Sequence, residues 1–354
     1  MLTEQEVVAA ALAEHGPEQA EKFVQEVIWR SYFKGWLERR PGIWSSYRSG
    51  LHSDRQSVDA DPRLMEQFES AQSGTTGLTC FDAWMTELRD TGYLHNHARM
   101  WFASIWIFTF QLPWRLGADL FYRHLLDGDP ASNTLSWRWV AGLHTRGKVY
   151  QAQAWNIAKF TAGRFAPNES DLASDVVGLD QIEEPQGLPE AAPLRKCVPP
   201  KPGQPTALLI TEEDCLLEDF DLAGLDIRTA ARLRTSHLRS DQPVSGRVIA
   251  FEDAALADTA QRCGVDAPQM DADDPAALAE WAASNGAVQI ATPYAPTGPL
   301  RDMLEQAAPA LASHGIILSE WQRDWDRQIW PYATAGFFKV KKRIPHLLQD
   351  LGLT

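Results

Sequence analysis

The stretch "DGDPASNTLSWRW", residues 127–139, crowds two carboxylates, an amide and two indoles into one short segment. Asp127 and Asp129 flank a glycine, as in a loop that binds a polar ligand. Trp137 and Trp139, one residue apart, read either as packing or as aromatic chemistry. Two further sets share this mixed character. Positions i, i+3 and i+4 lie on one face of a helix, and Glu26, Trp29 and Arg30 have that spacing, as do Asn96, Arg99 and Met100. Each set places an aromatic or thioether surface beside hydrogen-bonding groups. That suits a pocket for a flat polar heterocycle, where stacking gives contact area and polar groups read the ring edge. Arg99 with one of the loop acids would form a buried pair, tolerable only if well hydrogen-bonded. Plainer readings exist for the same residues: an Arg–Asp pair is more often a tertiary clamp, and clustered tryptophans are usually core. The "HNH" at 95–97 and His124 offer imidazoles, but no carboxylate spacing completes a ligand set, so no metal site is expected. Nothing resembles a GxSxG nucleophile elbow.

The elements that must position these residues fall into two textures. Residues 1–165 read as mostly helical. "EQAEKFVQEVIWRSYFKGWLERR" keeps apolar and aromatic residues at helical spacing and is closed by Pro41–Gly42. "CFDAWMTELRDTGYLHNHARMWFASIWIFTF" gives two helices broken near Gly92, and "LGADLFYRHLLDGD" another. Residues 166–205 turn rich in Pro, Glu, Asp and Gly and read as a linker or a wrapping connection. In residues 206–354 the short apolar runs "TALLIT", "GRVIAF", "AVQIAT" and "GIILSE" alternate with Ala-rich helical stretches, which implies a Rossmann-like α/β domain with a parallel sheet.

Composition bounds the function. The chain carries a formal net charge of −14, which argues against a nucleic-acid-coating surface. The acidity is uneven, however. Residues 1–165 hold 17 basic and 18 acidic groups, the remainder 16 and 29, and residues 101–165 hold seven basic to three acidic. A local polyanion-binding face on the first half therefore stays open, as does a protein partner for the acidic half. The longest apolar run, Trp101–Phe110, is too short to span a bilayer, and no signal peptide is visible. The four cysteines show no CxxC spacing. A reducing cytosol and a cytoplasmic location are the expectation.

Order and spacing together carry more than any single motif. "FVQEVIWRSYF", "TGLTCFDAWMTELRDTGYLHNHARMWFASIW" and "WRLGADLFYRHLLDGDPASNTLSWRW" resemble the FAD-binding helical module of the photolyase/cryptochrome family, nearly continuously from about residue 23 to 160. The resemblance implies FAD as cofactor. Asp127 and Asp129 would lie against the ribose–adenine side and the isoalloxazine edge, with Asn133 opposite the flavin N5 and Arg99 paired to Asp129. Trp137 would be the first electron donor and Trp114 the second. Glu26, Trp29, Asn96, Met100 and Trp139 would line a pocket for a flipped-out pyrimidine dimer, with Trp29 and Trp139 as aromatic walls. Arg30 would sit near the cofactor phosphates and the pocket mouth. Extruding a damaged, poorly stacked step is cheaper than extruding an intact one, and aromatic walls return about 1–3 kcal/mol per base.

The sequence departs from the family pattern in three ways. The α/β region follows the helical module instead of preceding it, as a circular permutation or an unrelated fused domain would give. No Thr/Ser-rich loop for the FAD pyrophosphate precedes the Glu26 helix, although "TAGFFKVKKR" at 334–343 could return basic groups. The residue that would complete the usual tryptophan triad is not evident, which leaves Trp101, Trp106 or Tyr122 as alternatives. Three readings follow in order: a DNA photolyase acting on cyclobutane pyrimidine dimers; a cryptochrome-like photoreceptor or redox sensor without repair activity; and a flavin-free binding scaffold. Convergence of Arg30, Arg115, Arg138, Arg146 and Lys148 on one face would favour DNA. An antenna chromophore in the α/β domain is left unassigned.

Overall fold

The computed structural model describes residues 2–353. Helix α1 (Glu4–Glu38) opens on a capping box, in which the Thr3 side chain accepts the Glu6 N–H and the Glu6 carboxylate accepts the Thr3 N–H. It breaks in mid-course at Gly16, whose φ of 70° is left-handed, just before Pro17. The Pro–Gly pair expected to close this helix instead begins the next: α1 ends at Glu38, and Pro41 starts α2 (Pro41–Ala60). A proline there gives up no helical hydrogen bond, because the first N–H groups of a helix are unpaired anyway.

The helical series continues with α3 (Pro62–Ser73), α4 (Thr79–Thr91), α5 (Asn96–Ser104), α6 (Trp114–His124), α7 (Pro130–Val140), α8 (Ala154–Phe160) and the short α9 (Asp180–Glu183). The expected break lies at Gly92, left-handed with φ 69°, and caps α4. Beyond α5 the chain widens into one π-helical turn over Ile105–Thr109. Among the described residues no helix is long and apolar enough to cross a membrane.

The second half forms a five-stranded, wholly parallel sheet of β1 (Pro205–Ile210), β2 (Asp226–Arg234), β3 (Gln269–Asp271), β4 (Gln289–Pro293) and β5 (Ile317–Trp321), in the order β3-β2-β1-β4-β5. Its helices are α10 (Gly246–Arg262), α11 (Pro275–Ser284), α12 (Pro299–Ser313), α13 (Asp324–Ile329), α14 (Phe338–Lys341) and α15 (Ile344–Asp350). This is the Rossmann-like arrangement anticipated. Three of the four apolar runs are strands, but "GRVIAF" is not. It opens α10, where Val248, Glu252 and Leu256 recur every fourth residue on the buried side. β2, "DIRTAARLR", escapes sequence detection because charged side chains interrupt it. Only Ala230, Ala231 and Leu233 are buried.

The chain packs as two compact units whose limits differ from the expected 1–165, 166–205 and 206–354. One comprises Met1–Pro41, Ala191–Leu238 and Ile249–Thr354; the other comprises Gly42–Glu190 and Arg239–Val248. Thus α1 belongs with the α/β unit. Its Gly35 meets Trp330 so closely that an added Cβ would lie 2.7 Å from the indole, its Tyr32 hydroxyl donates to the Ala335 carbonyl at 2.8 Å, and its Ser31 hydroxyl accepts from the Trp325 indole at 2.6 Å. The helical unit in turn recruits residues 239–248. There the Ser245 N–H donates to the Arg123 carbonyl at 3.0 Å, and the Arg123 guanidinium donates to the Pro243 carbonyl at 3.2 Å.

Candidate functional site

The loop joining α6 to α7 uses its two acids differently. Asp129 is the N-cap of α7. Its buried carboxylate accepts the Ser132 N–H at 2.7 Å, and Pro130 follows as the first helical residue. Asp127 faces outward and takes Arg99, whose Nη2 donates to both carboxylate oxygens at 3.2 and 3.0 Å while its Nε donates to the Leu94 carbonyl at 2.8 Å. The expected pairing of Arg99 with Asp129 is therefore corrected to Asp127. Capping turns Asp129 inward onto the first turn of α7, so the acid two residues earlier is the one within reach. With the Asp127 side chain 58% exposed, this pair contributes at most about 1 kcal/mol.

Behind the loop, the Asn133 side-chain nitrogen donates to the Ala118 carbonyl at 2.7 Å, leaving its oxygen without a hydrogen bond among the described residues. The neighbouring Ser132 hydroxyl is buried and likewise unpaired. An open valence on a buried hydroxyl such as that of Ser132 calls for a polar ligand or water. A flavin nucleotide, rich in ring N–H, carbonyl and hydroxyl groups, fits such a donor and acceptor set. Arg239 adds a cation that sequence reading missed. Its guanidinium donates to the carbonyls of Tyr122 and Leu125 at 3.3 and 3.1 Å, directly under Gly128. Nothing local in the sequence signals this, because Arg239 lies far along the chain.

Trp137 is fully buried in an aromatic cage, with ring centroids 5.1 Å from Phe121, 6.3 Å from Trp106 and 6.5 Å from Phe102, all near edge-on. Gly117 makes the approach to α6 possible, since a Cβ there would stand 2.3 Å from the indole. Trp114, also buried, begins α6 and has Tyr47 at 5.9 Å; Trp44 stacks on Tyr47 at 5.4 Å. A separate aromatic series thus runs from Trp114 to Tyr47 and Trp44 on α2, residues that sequence reading missed although they are three apart on one helix. Of the alternatives considered, Trp106 contacts Trp137, Trp101 stacks on Trp84 at 5.5 Å, and Tyr122 carries the Arg239 guanidinium at 5.1 Å. Burial, with the Asp119 carboxylate adding to it, pushes the Tyr47 phenol well above its usual range. Its hydroxyl has no hydrogen-bond partner among the described residues.

The remaining candidates divide between the units. Asn96 is the exposed first residue of α5, and Met100, one turn on, is half-buried. Trp139 is half-buried and stacks on Tyr150 at 5.5 Å. Glu26, Trp29 and Arg30 all lie on α1, in the other unit. Glu26 is exposed, Arg30 forms an ion pair with Glu4, and one face of Trp29 stacks on Phe337, centroids 3.8 Å apart at 13°.

Three arginines of the helical unit are already neutralised. Arg115 pairs with Asp54 at 3.2 Å and with Glu183, Arg138 with Glu184 at 2.7 Å, and Arg146 with Asp180 at 3.4 Å. Arg115, Arg138 and Arg146 do converge, but on the acidic α9 segment of their own chain; Lys148 is exposed. His124, pushed down to about 4 by burial and by the nearby Arg123 and Arg89 charges, is neutral at physiological pH. His95 caps α5 by accepting the His97 N–H at 3.2 Å. Among the described residues, no three His, Cys, Asp or Glu side chains gather as a metal site.

With this geometry in place, comparison with known proteins is informative. Residues 23–165 match the family model described as the FAD binding domain of DNA photolyase. The chain is 41% identical over 133 residues to a deoxyribodipyrimidine photo-lyase of Streptomyces griseus, covering 37% of this chain and 28% of that protein. It is 30% identical over 128 residues to the deoxyribodipyrimidine photo-lyase of Escherichia coli K12, covering 36% and 26%. It is 37% identical over 136 residues to cryptochrome DASH of Ostreococcus tauri, covering 38% and 23%. The match thus spans about a quarter of the length of these relatives. No solved structure matches the chain. Over residues 23–165 the chain is thus similar to the FAD-binding module of photolyases and cryptochromes.

Proposed function

We propose that this protein is a light-driven electron-transfer flavoprotein of photolyase type, acting on cyclobutane pyrimidine dimers in DNA. The observation that carries this reading is the buried Trp137, caged by Phe102, Trp106 and Phe121 on the helix that Asp129 caps, and Trp114 would follow it as the second donor. A low-dielectric aromatic cage keeps water from quenching a transient charge on an indole, and the loop supplies acceptors and an amide to hold a polar cofactor edge. The chemistry supplied by bound FAD would be light absorption and single-electron transfer, while the protein contributes position and electrostatics. Asn133, with its amide nitrogen held by Ala118, would present its oxygen to a ring N–H. Asp127 and Asp129 would accept from sugar or ring donors, and Arg99 orients Asp127. Glu26 would hydrogen-bond a pyrimidine carbonyl as negative charge develops there. Trp29, Trp139, Asn96 and Met100 would give the lesion its apolar and amide contacts.

Two observations favour a sensor without repair activity as the second reading. Phe337 already covers one face of Trp29, and Arg115, Arg138 and Arg146 are held by α9 carboxylates and unavailable to phosphates.

The deciding experiment is an absorption spectrum of protein purified in the dark, repeated after blue light with a reductant, followed by a dimer-cleavage assay. Flavin bands that bleach in light, with dimer cleavage that Trp29→Ala abolishes while flavin stays bound, are expected. Bleaching without cleavage would leave the sensor. No flavin even after reconstitution with FAD would leave the binding scaffold.

A further inference from the structure

Between Arg327 and Gln349 the chain holds five Lys and Arg residues and no Asp or Glu, and four of the five fall within residues 339–343. The structure folds this stretch into an amphipathic strap over α14 and the start of α15. Phe337, Val340 and Ile344, at positions i, i+3 and i+7, are buried, whereas Phe338, Lys339, Lys342 and Arg343 are exposed. Phe338 is 75% exposed. Lys339 donates to the Thr334 hydroxyl at 2.6 Å, and Arg343 lies over the Tyr332 ring at 5.2 Å. None of Lys339, Lys341, Lys342 and Arg343 forms an ion pair among the described residues. In this the strap differs from Arg195, Arg301 and Arg323 of the same unit, each of which meets a carboxylate.

Four cations within about one helical turn repel one another, and an external polyanion would relieve that repulsion. The net charge of −14 does not cancel the patch, because at physiological salt charges more than about 8 Å away are largely screened. A membrane surface is the poorer fit. Interfacial helices bury a broad apolar face, and here that face is already turned inward, leaving one exposed ring. The strap also begins beside Trp29, which Phe337 covers.

We propose that residues 338–343 form a DNA contact in which Lys339, Lys341, Lys342 and Arg343 neutralise backbone phosphates and Phe338 offers its ring to an unpaired base. The choice of DNA rests on the reading of Trp29 as part of a lesion pocket. On this view, phosphate binding resides in the strap because Arg115, Arg138 and Arg146 are closed off by their own acids.

The test is equilibrium binding of the intact protein to labelled single-stranded and duplex DNA in the dark, across a salt series. Each phosphate contact adds about 0.9 to the slope of log affinity against log salt for duplex DNA, and about 0.7 for single strands. Lys339→Ala/Lys341→Ala/Lys342→Ala/Arg343→Ala should flatten that slope by about 3 and weaken binding at low salt at least ~10-fold. Phe338→Ala should weaken single-stranded binding roughly tenfold, with little effect on duplex. The exposed pair Lys159→Ala/Arg164→Ala, in the other unit, controls for net charge and should bind as the parent does. An unchanged slope in the fourfold variant overturns the proposal. So does an equal loss in the control, or binding to anionic phospholipid vesicles in place of DNA. These readouts need neither flavin nor light. Strap-dependent DNA binding without dimer cleavage would remove the repair reading and leave the strap assignment standing.

Discussion

Asp127 and Asp129 show how one short motif divides its labour. The inner acid caps a helix and the outer one holds an arginine, a split that follows from where α7 begins. The residue types and spacing of this loop were legible in the sequence, but the partner of Arg99 was not. Spacing brings both acids near the same cation, and only the capping geometry chooses between them. Tyr47 is the clearest single-residue case in the other direction. Its buried hydroxyl lacks a hydrogen-bond partner among the described residues, and an orphaned polar group costs about 1–3 kcal/mol. Tyr47→Phe should therefore stabilise the helical unit by about 1 kcal/mol in urea unfolding, and a loss of stability would show that a bound water or other group satisfies the phenol. Because oxidised tyrosine must shed its proton, and no acceptor is bonded here, the same variant should leave light-driven flavin reduction almost unchanged. Trp114→Phe should slow it at least ~10-fold, since edge-to-edge electron transfer would lose its next ring; equal rates in the two variants would exclude Trp114 as a donor.

At the level of elements, α9 matters out of proportion to its length. Asp180, Glu183 and Glu184 reach Arg146, Arg115 and Arg138, and Arg138 is almost completely buried. Removing one partner of a buried pair leaves an uncompensated charge, at a cost of about 3–5 kcal/mol. Glu184→Ala should accordingly lower the unfolding free energy by about 3 kcal/mol, whereas Glu190→Ala, at an exposed position, should change it by less than about 0.5 kcal/mol. A surface-like effect for Glu184→Ala in chemical denaturation would mean that the clamp is loose. This segment was read as linker because its Pro, Gly and acid content resembles one, and composition cannot report what a charged side chain will meet. Likewise "GRVIAF" carries a strand-like apolar run, yet its continuation repeats every fourth residue and packs as α10. β2 lacks such a run and still pairs with β1 and β3.

At the scale of the whole molecule, one titrating group tests how firmly α1 is tied into the α/β unit. Asp326 on α13 is raised to about 7, chiefly by burial, with Lys34 and Arg30 of α1 opposing the shift and Glu4 and Asp214 adding to it. A carboxyl whose folded value lies above its ordinary one binds protons more tightly when folded. Stability associated with it is thus fully present below about pH 4 and is lost as pH rises towards 7. Asp326→Asn should remove this dependence, raising Tm by several degrees at about pH 8 and little at about pH 4. Parallel pH profiles for parent and variant would show that Asp326 does not titrate in that window.

The sequence by itself determined the helical module, its acid-rich loop and its tryptophans, because local periodicity and closely spaced motifs carry that information. It also determined that a parallel α/β sheet follows, through alternating short apolar runs. Tertiary structure alone decided that α1, with Glu26, Trp29 and Arg30, packs among the α/β elements, that residues 239–248 complete the helical unit, and that Arg115, Arg138 and Arg146 converge on the carboxylates of the α9 segment. These are pairings between segments far apart in the chain. They are set by which buried faces and charges fit together in space, and no window of neighbouring residues contains that fit.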